Sequence, residues 1–461
     1  MTTLAPPRAA RRAPGTSAAL AVPAAATLLA LMNYTAPMAT LADTARGLHA
    51  GGTAQIWLMS SISLGLAAAL LAVGSLADDH GRRRVFVLGA AVLAVSSVVC
   101  ALATNAPLFV GARIVQGAAS AVLIATGLGI IAASFEPGPR RAHATGVWGA
   151  MIGLGIALGP IASAGLAEIG GWRLWYWVCA AASVPVGLAA LRLPESRAAR
   201  PRGLDLPGLL TMVLGIGALV AAITMGRLGW TRPSVLGLFA AAAVLLAAFT
   251  AVEARRREPM LDLGLFRRPA FQLSIVGALI TGLAVIGIMS YLATLMTLVL
   301  GLSALASALV LAIWSGISFA AALQARRLPS RLPAGRLLGA GLALSAAGEL
   351  AMLGMGPDGH WWRLAPGLVV SGIGSGLANA MLARLAVESV PADRASMGSG
   401  ANNTARYVGA SVGVAVVGAM TTGQGGGASG LAHGTNVAML VSAAVALGGA
   451  ALMMVIRERD R

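Results

Sequence analysis

The chain has 461 residues, 57% of them hydrophobic and 11% charged, against roughly a quarter charged in an ordinary soluble domain. This excludes a water-soluble globule and makes the lipid bilayer the chain's first partner. All 33 basic residues are arginine and outnumber 16 acids for a net charge of +17, yet they lie in short clusters between apolar runs rather than on one amphipathic face, which excludes nucleic acid as a partner.

Residues 1–17 carry Arg8, Arg11 and Arg12 without periodicity and read as a cytoplasmic tail. The apolar run that follows continues past Asn33 to Leu41, longer than the ~7–15 residues of a cleavable signal core. Runs of about 20 residues, long enough to span a bilayer, then fall at 20–42, 54–77, 85–104, 107–134, 143–167, 173–192 and 206–226. Seven more follow at 233–252, 270–298, 303–323, 337–355, 364–387, 397–421 and 434–456, fourteen in all. If the first segment is cytoplasmic, 26 arginines lie in cytoplasmic segments and five, Arg46, Arg173, Arg227, Arg232 and Arg363, in outer ones. That asymmetry is the one expected of loops facing the cytoplasm, and it puts both termini, including 457–461, on that side. Cys100 and Cys179 sit inside apolar runs without metal or redox spacing and read as packing residues.

Between the second and third spans stands Gly74-Ser75-Leu76-Ala77-Asp78-Asp79-His80-Gly81-Arg82-Arg83-Arg84. Gly74 and Gly81 remove side chains where the backbone turns or packs closely, Asp78 sits at a helix end, and the arginines anchor the next helix at an anionic membrane face. The pattern G-x-L-A-D-x-x-G-R-R-R resembles the loop signature of the major facilitator superfamily. The resemblance implies a gate in which Asp78, Arg82 and Arg83 clasp neighbouring helix ends. Asp79 stands where that family usually has a basic residue, so an altered clasp is expected.

The fourth span holds Arg113-Ile114-Val115-Gln116-Gly117, which resembles the superfamily's R-x-x-Q-G signature. A guanidinium in hydrocarbon costs at least ~2.5 kcal/mol, so Arg113 faces a cavity or a partner, or snorkels to the outer surface. The resemblance implicates it in proton transfer. In the fifth span Gly155, Gly159 and Pro160 form G-x-x-x-G-P, which resembles the motif of exporters in the same superfamily. Glycines four apart allow close helix approach, and proline bends the helix, a fit to gating as well as to plain packing. Ser163 and Ala164 stand where the family commonly ends in a glycine pair. Gly171-Trp172-Arg173 is similar to the segment opening the sixth helix of these exporters, and its rings suit the outer interface.

The pair of spans at 206–252 is followed by Glu258-Pro259-Met260-Leu261-Asp262-Leu263-Gly264-Leu265-Phe266-Arg267-Arg268, which resembles the lead into the second half of fourteen-helix drug exporters. The chain then divides as a six-helix half at 18–193, a linker with two extra spans at 194–268, and a second six-helix half at 269–456. In the thirteenth span Asn402, Asn403 and Arg406 resemble the N-N-x-x-R-x-x-G segment of those exporters. They either knit that helix to a neighbour or line the pathway. Asn33 and Asn379 are single amides at mid-depth, Pro23 and Pro37 should bend the helix around Asn33, and Gln116 joins this polar set as a candidate cavity lining. Candidate proton carriers are Asp43, near a span end, and Glu349, the one acid well inside a span.

On these motifs the chain is similar to the fourteen-helix drug/proton antiporters of the major facilitator superfamily. The resemblance implies an all-α fold in a bacterial cell membrane, acting as a monomer. It implies export of a small-molecule substrate such as an antibiotic or drug in exchange for protons, without enzymatic chemistry, cofactor or metal. Uptake or facilitation on the same fold, and a receptor or lipid-handling scaffold, stay open as alternatives. The spans expected to line the cavity carry no acid at mid-depth, which favours neutral or weakly acidic, hydrogen-bonding substrates over permanent cations.

Overall fold

In lipid every backbone donor and acceptor must be paired within the protein, so apolar runs of this length become helices. The computed structural model describes residues 16–456 other than 200, 204, 257, 329–331 and 423–426. Nearly all of the expected tail at 1–17 and the whole of that at 457–461 thus lie outside the described residues, with Arg8, Arg11, Arg12, Arg200, Arg257, Arg331, Arg457, Arg459 and Arg461.

The helices are α1 (Thr16–Thr35), α2 (Pro37–Gly47), α3 (Gly52–His80), α4 (Arg82–Leu102), α5 (Ala106–Ser134), α6 (Pro139–Gly170), α7 (Arg173–Ala190), α8 (Leu206–Gly226) and α9 (Pro233–Arg255). After a short 3-10 turn at Leu263–Arg267 come α10 (Pro269–Ile280), a π-helical turn (Thr281–Ile286), α11 (Gly287–Leu300), α12 (Ala304–Gln324), α13 (Ala334–Ala351), α14 (Ala365–Glu388), α15 (Ala395–Thr422) and α16 (Ala428–Val455). Side chains cap several starts: Asn105 accepts from the Leu108 N–H at 2.9 Å, and Asp205 from that of Gly208 at 2.8 Å.

Every predicted span is helical. Among the described residues eleven stretches are long and apolar enough to cross a membrane; α7, α13 and α15, at the other three predicted spans, are not among them. The first predicted span, read as one helix bent at Pro23 and Pro37, is two helices. Pro23 is accommodated inside α1, whereas the chain breaks at Ala36, before Pro37. Segment α10–α11 runs through its π turn as one span, Pro269–Leu300.

Two groups of helices form. In the first, α5 packs on α1, α3 and α4, α6 on α1, and α7 on α4; in the second, α14 packs on α12 and α13, α16 on α13, and α15 on α10–α11. The groups meet where α3 and α5 lie on α15, and where α6 lies on α12 and α14. The α8–α9 pair stands outside both groups, with α8 touching α3 and α15.

Candidate transport pathway

At the end of the molecule that carries the α3–α4 turn, the groups are clasped shut. The buried Asp78 carboxylate accepts from Arg82 Nε at 2.8 Å and from the Ser396 and Met397 N–H groups at 3.2 and 2.8 Å. An acid of α3 thereby caps the start of α15, where the helix dipole favours negative charge. Arg82 in turn donates to Ser396 Oγ at 3.2 Å and to the Asp393 carbonyl at 2.9 Å. Asp79 does not weaken the clasp; it accepts from Arg394 Nη1 at 2.6 Å and from the Arg202 N–H at 3.0 Å, tying the second group and the segment before α8 to α3. Arg83 points elsewhere, donating to the Leu193 carbonyl at 3.1 Å within the first group.

Two glycines carry the closest approach. A Cβ on Gly74 would lie 2.4 Å from the Ser396 carbonyl oxygen, and one on Gly400 would lie 2.3 Å from that of Leu70. Gly81 makes the turn between α3 and α4 at φ +108°, with Glu195 packed where a side chain would be.

The glycines of α6 serve two different neighbours. Gly149 and Gly153 face α14 and α12 of the second group, with Cβ positions 3.1 Å from the Asn379 and Ser315 carbonyl oxygens. Gly155 and Gly159 face α1, at 2.9 Å from the Leu28 and 2.5 Å from the Met32 carbonyl oxygen. The G-x-x-x-G-P seam therefore lies inside the first group. Pro160 cannot donate to the Ile156 carbonyl, which the Thr35 hydroxyl approaches at 3.5 Å. Ser163 donates to the Ala36 carbonyl at 2.7 Å, bracing the break between α1 and α2. Gly159→Ala with Pro160→Ala is expected to lower stability by about 1–3 kcal/mol through overpacking against Met32 and Thr35 and to slow transport. Parental stability and rate in that variant would make the seam ordinary packing.

Away from the clasp, a cavity of about 360 Å³ opens between the groups, within the usual size of ligand sites. Gln55, near the start of α3, lines it, about 35 Å along the helix from Asp78 at 1.5 Å per residue. Its walls are Met38, Met59, Met289 and other apolar groups, with Tyr34, Gln55, Ser290, Thr297 and Ser307 supplying hydrogen-bonding atoms and no charged side chain among the lining residues. At its floor Tyr34 meets Tyr407 edge to face across the two groups, ring centres 5.6 Å apart.

The six expected cavity residues, Asn33, Gln116, Asn379, Asn402, Asn403 and Arg406, are all buried, and none lines this cavity. Most of their polar atoms are paired inside the helix packing, as hydrocarbon surroundings demand, while Asn33 Nδ2 and Arg406 Nε are buried without a partner. Arg113 is fully buried rather than snorkelling. It donates to Gln116 Oε1 at 2.8 Å, Asn33 Oδ1 at 3.2 Å and the Asn33 carbonyl at 3.1 Å, the carbonyl that Pro37 leaves without its helical donor. Gln116 passes the chain on to Ser97 at 2.7 Å. In the second group Arg406 donates to Asn379 Oδ1 at 3.1 Å, while Asn402 donates to the Ser274 carbonyl at 2.9 Å. Apart from Asn403, which donates to the Ser399 carbonyl of its own helix at 3.0 Å, the amides thus knit helices together in this state. Asp43 lies at the surface in an ion pair with Arg46, and Glu349 is buried in α13. The clasp partners Asp393, Arg394 and Ser396 were missed; the only signal in the sequence was a charged pair opening the thirteenth span.

Residues 24–414 match the sequence model of the Major Facilitator Superfamily. The chain belongs to this superfamily. It is 31% identical over 386 residues to the multidrug resistance protein Stp of Mycobacterium tuberculosis, covering 82% of this chain and 71% of that one. It is also 32% identical over 405 residues to the multidrug efflux pump LfrA of Mycolicibacterium smegmatis, covering 88% and 80%. Among solved structures, the human organic anion transporter MFSD10 superposes with a TM-score of 0.71 at 15% identity, covering 96% of this chain and all of that one. This superfamily member is therefore a multi-pass membrane transporter of all-helical facilitator fold.

Proposed function

We propose that this facilitator exports small organic molecules, antibiotics or drugs among them, by alternating access in exchange for protons. The observation that carries the reading is a cavity between the two helix groups, open at one end, with a buried ionic clasp across the other. The resistance and efflux relatives support the direction.

In this reading the chain crosses the membrane fourteen times, as six, two and six helices with halves at 18–193 and 269–456 and the linker pair at 194–268. Both termini are cytoplasmic, the transporter acts as a monomer, and the clasp closes the cytoplasmic side. Arginine placement supports the orientation. The conformation described here is then the outward-facing one. Gly74, Asp78, Gly81 and Arg82 hold the inner gate, Arg83 braces the first group behind it, and Gly155, Gly159 and Pro160 shape the wall that must move. Asn33, Gln116, Asn379, Asn402, Asn403 and Arg406 reach solute only when the clasp parts, and Arg113 tunes the polar chain behind α1.

A hundredfold gradient of neutral solute costs about 2.8 kcal/mol, at ~1.4 per decade, and one entering proton supplies ~2.3 kcal/mol per 100 mV. One proton per molecule therefore suffices once the membrane potential exceeds about 120 mV. The uncharged lining favours neutral compounds, because a desolvated cation needs a carboxylate that the cavity lacks. The test is accumulation of chloramphenicol, neutral, and ethidium, permanently cationic, in inverted vesicles under an imposed pH gradient. Gradient-driven uptake of chloramphenicol but not ethidium is expected; strong ethidium uptake would overturn the charge rule, and gradient-independent uptake the proton exchange.

A further inference from the structure

The cavity lining holds no titratable acid, Asp43 is paired at the surface, and Asp78 and Asp79 are consumed by the clasp. Glu349 remains. It is 0% exposed, neither carboxyl oxygen accepts a hydrogen bond, and the one side chain acting on it is Ser442 of α16. Among the described residues, the elements packed on α13, namely α10, α14, α16 and the π turn, bring no other titratable or charged group to act on it. An ionised carboxylate without cation or donor is not sustained in such a place, so the carboxyl is neutral in this conformation.

Ser442 has one hydroxyl proton, and it goes to the carbonyl of Ala284, inside the π turn Thr281–Ile286. Such turns are rare and occur mostly at functional sites. This one sits where helices pack closely: a Cβ on Gly282 would be 2.0 Å from the Arg406 carbonyl oxygen of α15, and one on Gly287 would be 2.7 Å from Gly413 Cα. Directly beyond it, Met289, Ser290 and Ala293 of α11 form cavity wall. The contact falls in the middle of α15, whose start is the one that Asp78 caps.

We infer that Glu349 carries the exchanged proton and that Ser442 converts its charge into a change of the π turn. This rests on the proton-exchange reading and names its site. With Glu349 protonated, Ser442 stays on Ala284 and the π turn is held. When the carboxyl gives its proton to water, the carboxylate is the stronger, charge-assisted acceptor and draws the Ser442 hydroxyl away from Ala284. The freed π turn can relax to regular α-helix, which rotates α11 by about 100° for the one residue absorbed, re-facing Met289 and Ser290 and shifting the packing on α15. Reprotonation by hydronium leaves water and restores the bond to Ala284. Access is short: Glu349 lies two residues from the end of α13 at Ala351, and Met352 shares a surface pocket with Leu300 at the end of α11, the end at which the cavity opens.

The test needs neither a pH gradient nor a transported compound, so it fails separately from the vesicle assay above. Purified protein in lipid nanodiscs, with Cys100 and Cys179 replaced by Ala, is titrated with pH while two signals are followed. One is the infrared carbonyl band of protonated carboxylic acid, the other the alkylation rate of Ser290→Cys. Loss of a titrating band in Glu349→Gln is expected, together with a labelling rate that no longer depends on pH; in the parent that rate should change about tenfold across the transition. Ser442→Ala should keep the band but lose the pH-dependent labelling, and Glu349→Asp should keep both with a displaced midpoint. A parent without pH-dependent labelling overturns the proposal. So does a Glu349→Gln protein whose band and labelling match the parent.

Discussion

Asp78→Asn is expected to abolish transport at unchanged membrane abundance. The substitution leaves Arg82 buried with only the Asp393 carbonyl, the Ser396 hydroxyl and a neutral amide, and breaking a buried pair in this way costs about 3–5 kcal/mol. At ~1.4 kcal/mol per tenfold this shifts the gate equilibrium more than a hundredfold toward the parted state. The fold survives, because each group of helices keeps its own core. The checking measurement is alkylation of Leu70→Cys, buried against Gly400 in the closed clasp, by a membrane-impermeant reagent from the cytoplasmic side. Labelling should rise in the Asn variant; parental transport with no added labelling would refute the clasp.

Gly74→Ala combined with Gly400→Ala should act in the same direction by sterics alone. Both added Cβ atoms meet backbone, at 2.4 Å from Ser396 and 2.3 Å from Leu70, and a carbonyl cannot rotate aside as a flexible side chain can. Overpacking at about 1–3 kcal/mol per site adds across the two contacts and leaves the parted state, where both methyl groups are free of them, unaffected. Spin-label distances across the cytoplasmic ends of α3 and α15 should lengthen while thermal unfolding changes little. A parental distance distribution in the double variant would show that the two glycines do not set the approach.

The helices were legible in the sequence because hydrocarbon admits few other backbones, although among the described residues length and hydropathy single out eleven spans where fourteen were expected. Where charge and conformation coincide the motifs were legible too: Gly81 has the positive φ its place between two helices called for, and Asp78 does sit at a helix end. What the sequence could not tell was which face each residue presents. Gly149 and Gly153 reach the second group while Gly155 and Gly159, on the same helix, reach α1, and only the three-dimensional rotation of α6 separates them. The amides at mid-depth were read as candidate lining, although in this conformation burial spends their hydrogen bonds on neighbouring helices. The Asp79 partners, Arg394 and Arg202, lie 315 and 123 residues away, so no local pattern announces them.

The α8–α9 pair has a consequence for traffic through the lipid. Of the two long edges along which the helix groups meet, the α3–α15 edge is covered by α8, whereas the α6–α12 edge has no such cover from the pair. A route from the lipid into the cavity is thus shut on the α8 side, and on the other side it would first have to part the contact of Gly153 with the Ser315 carbonyl oxygen, 3.1 Å from its Cβ position.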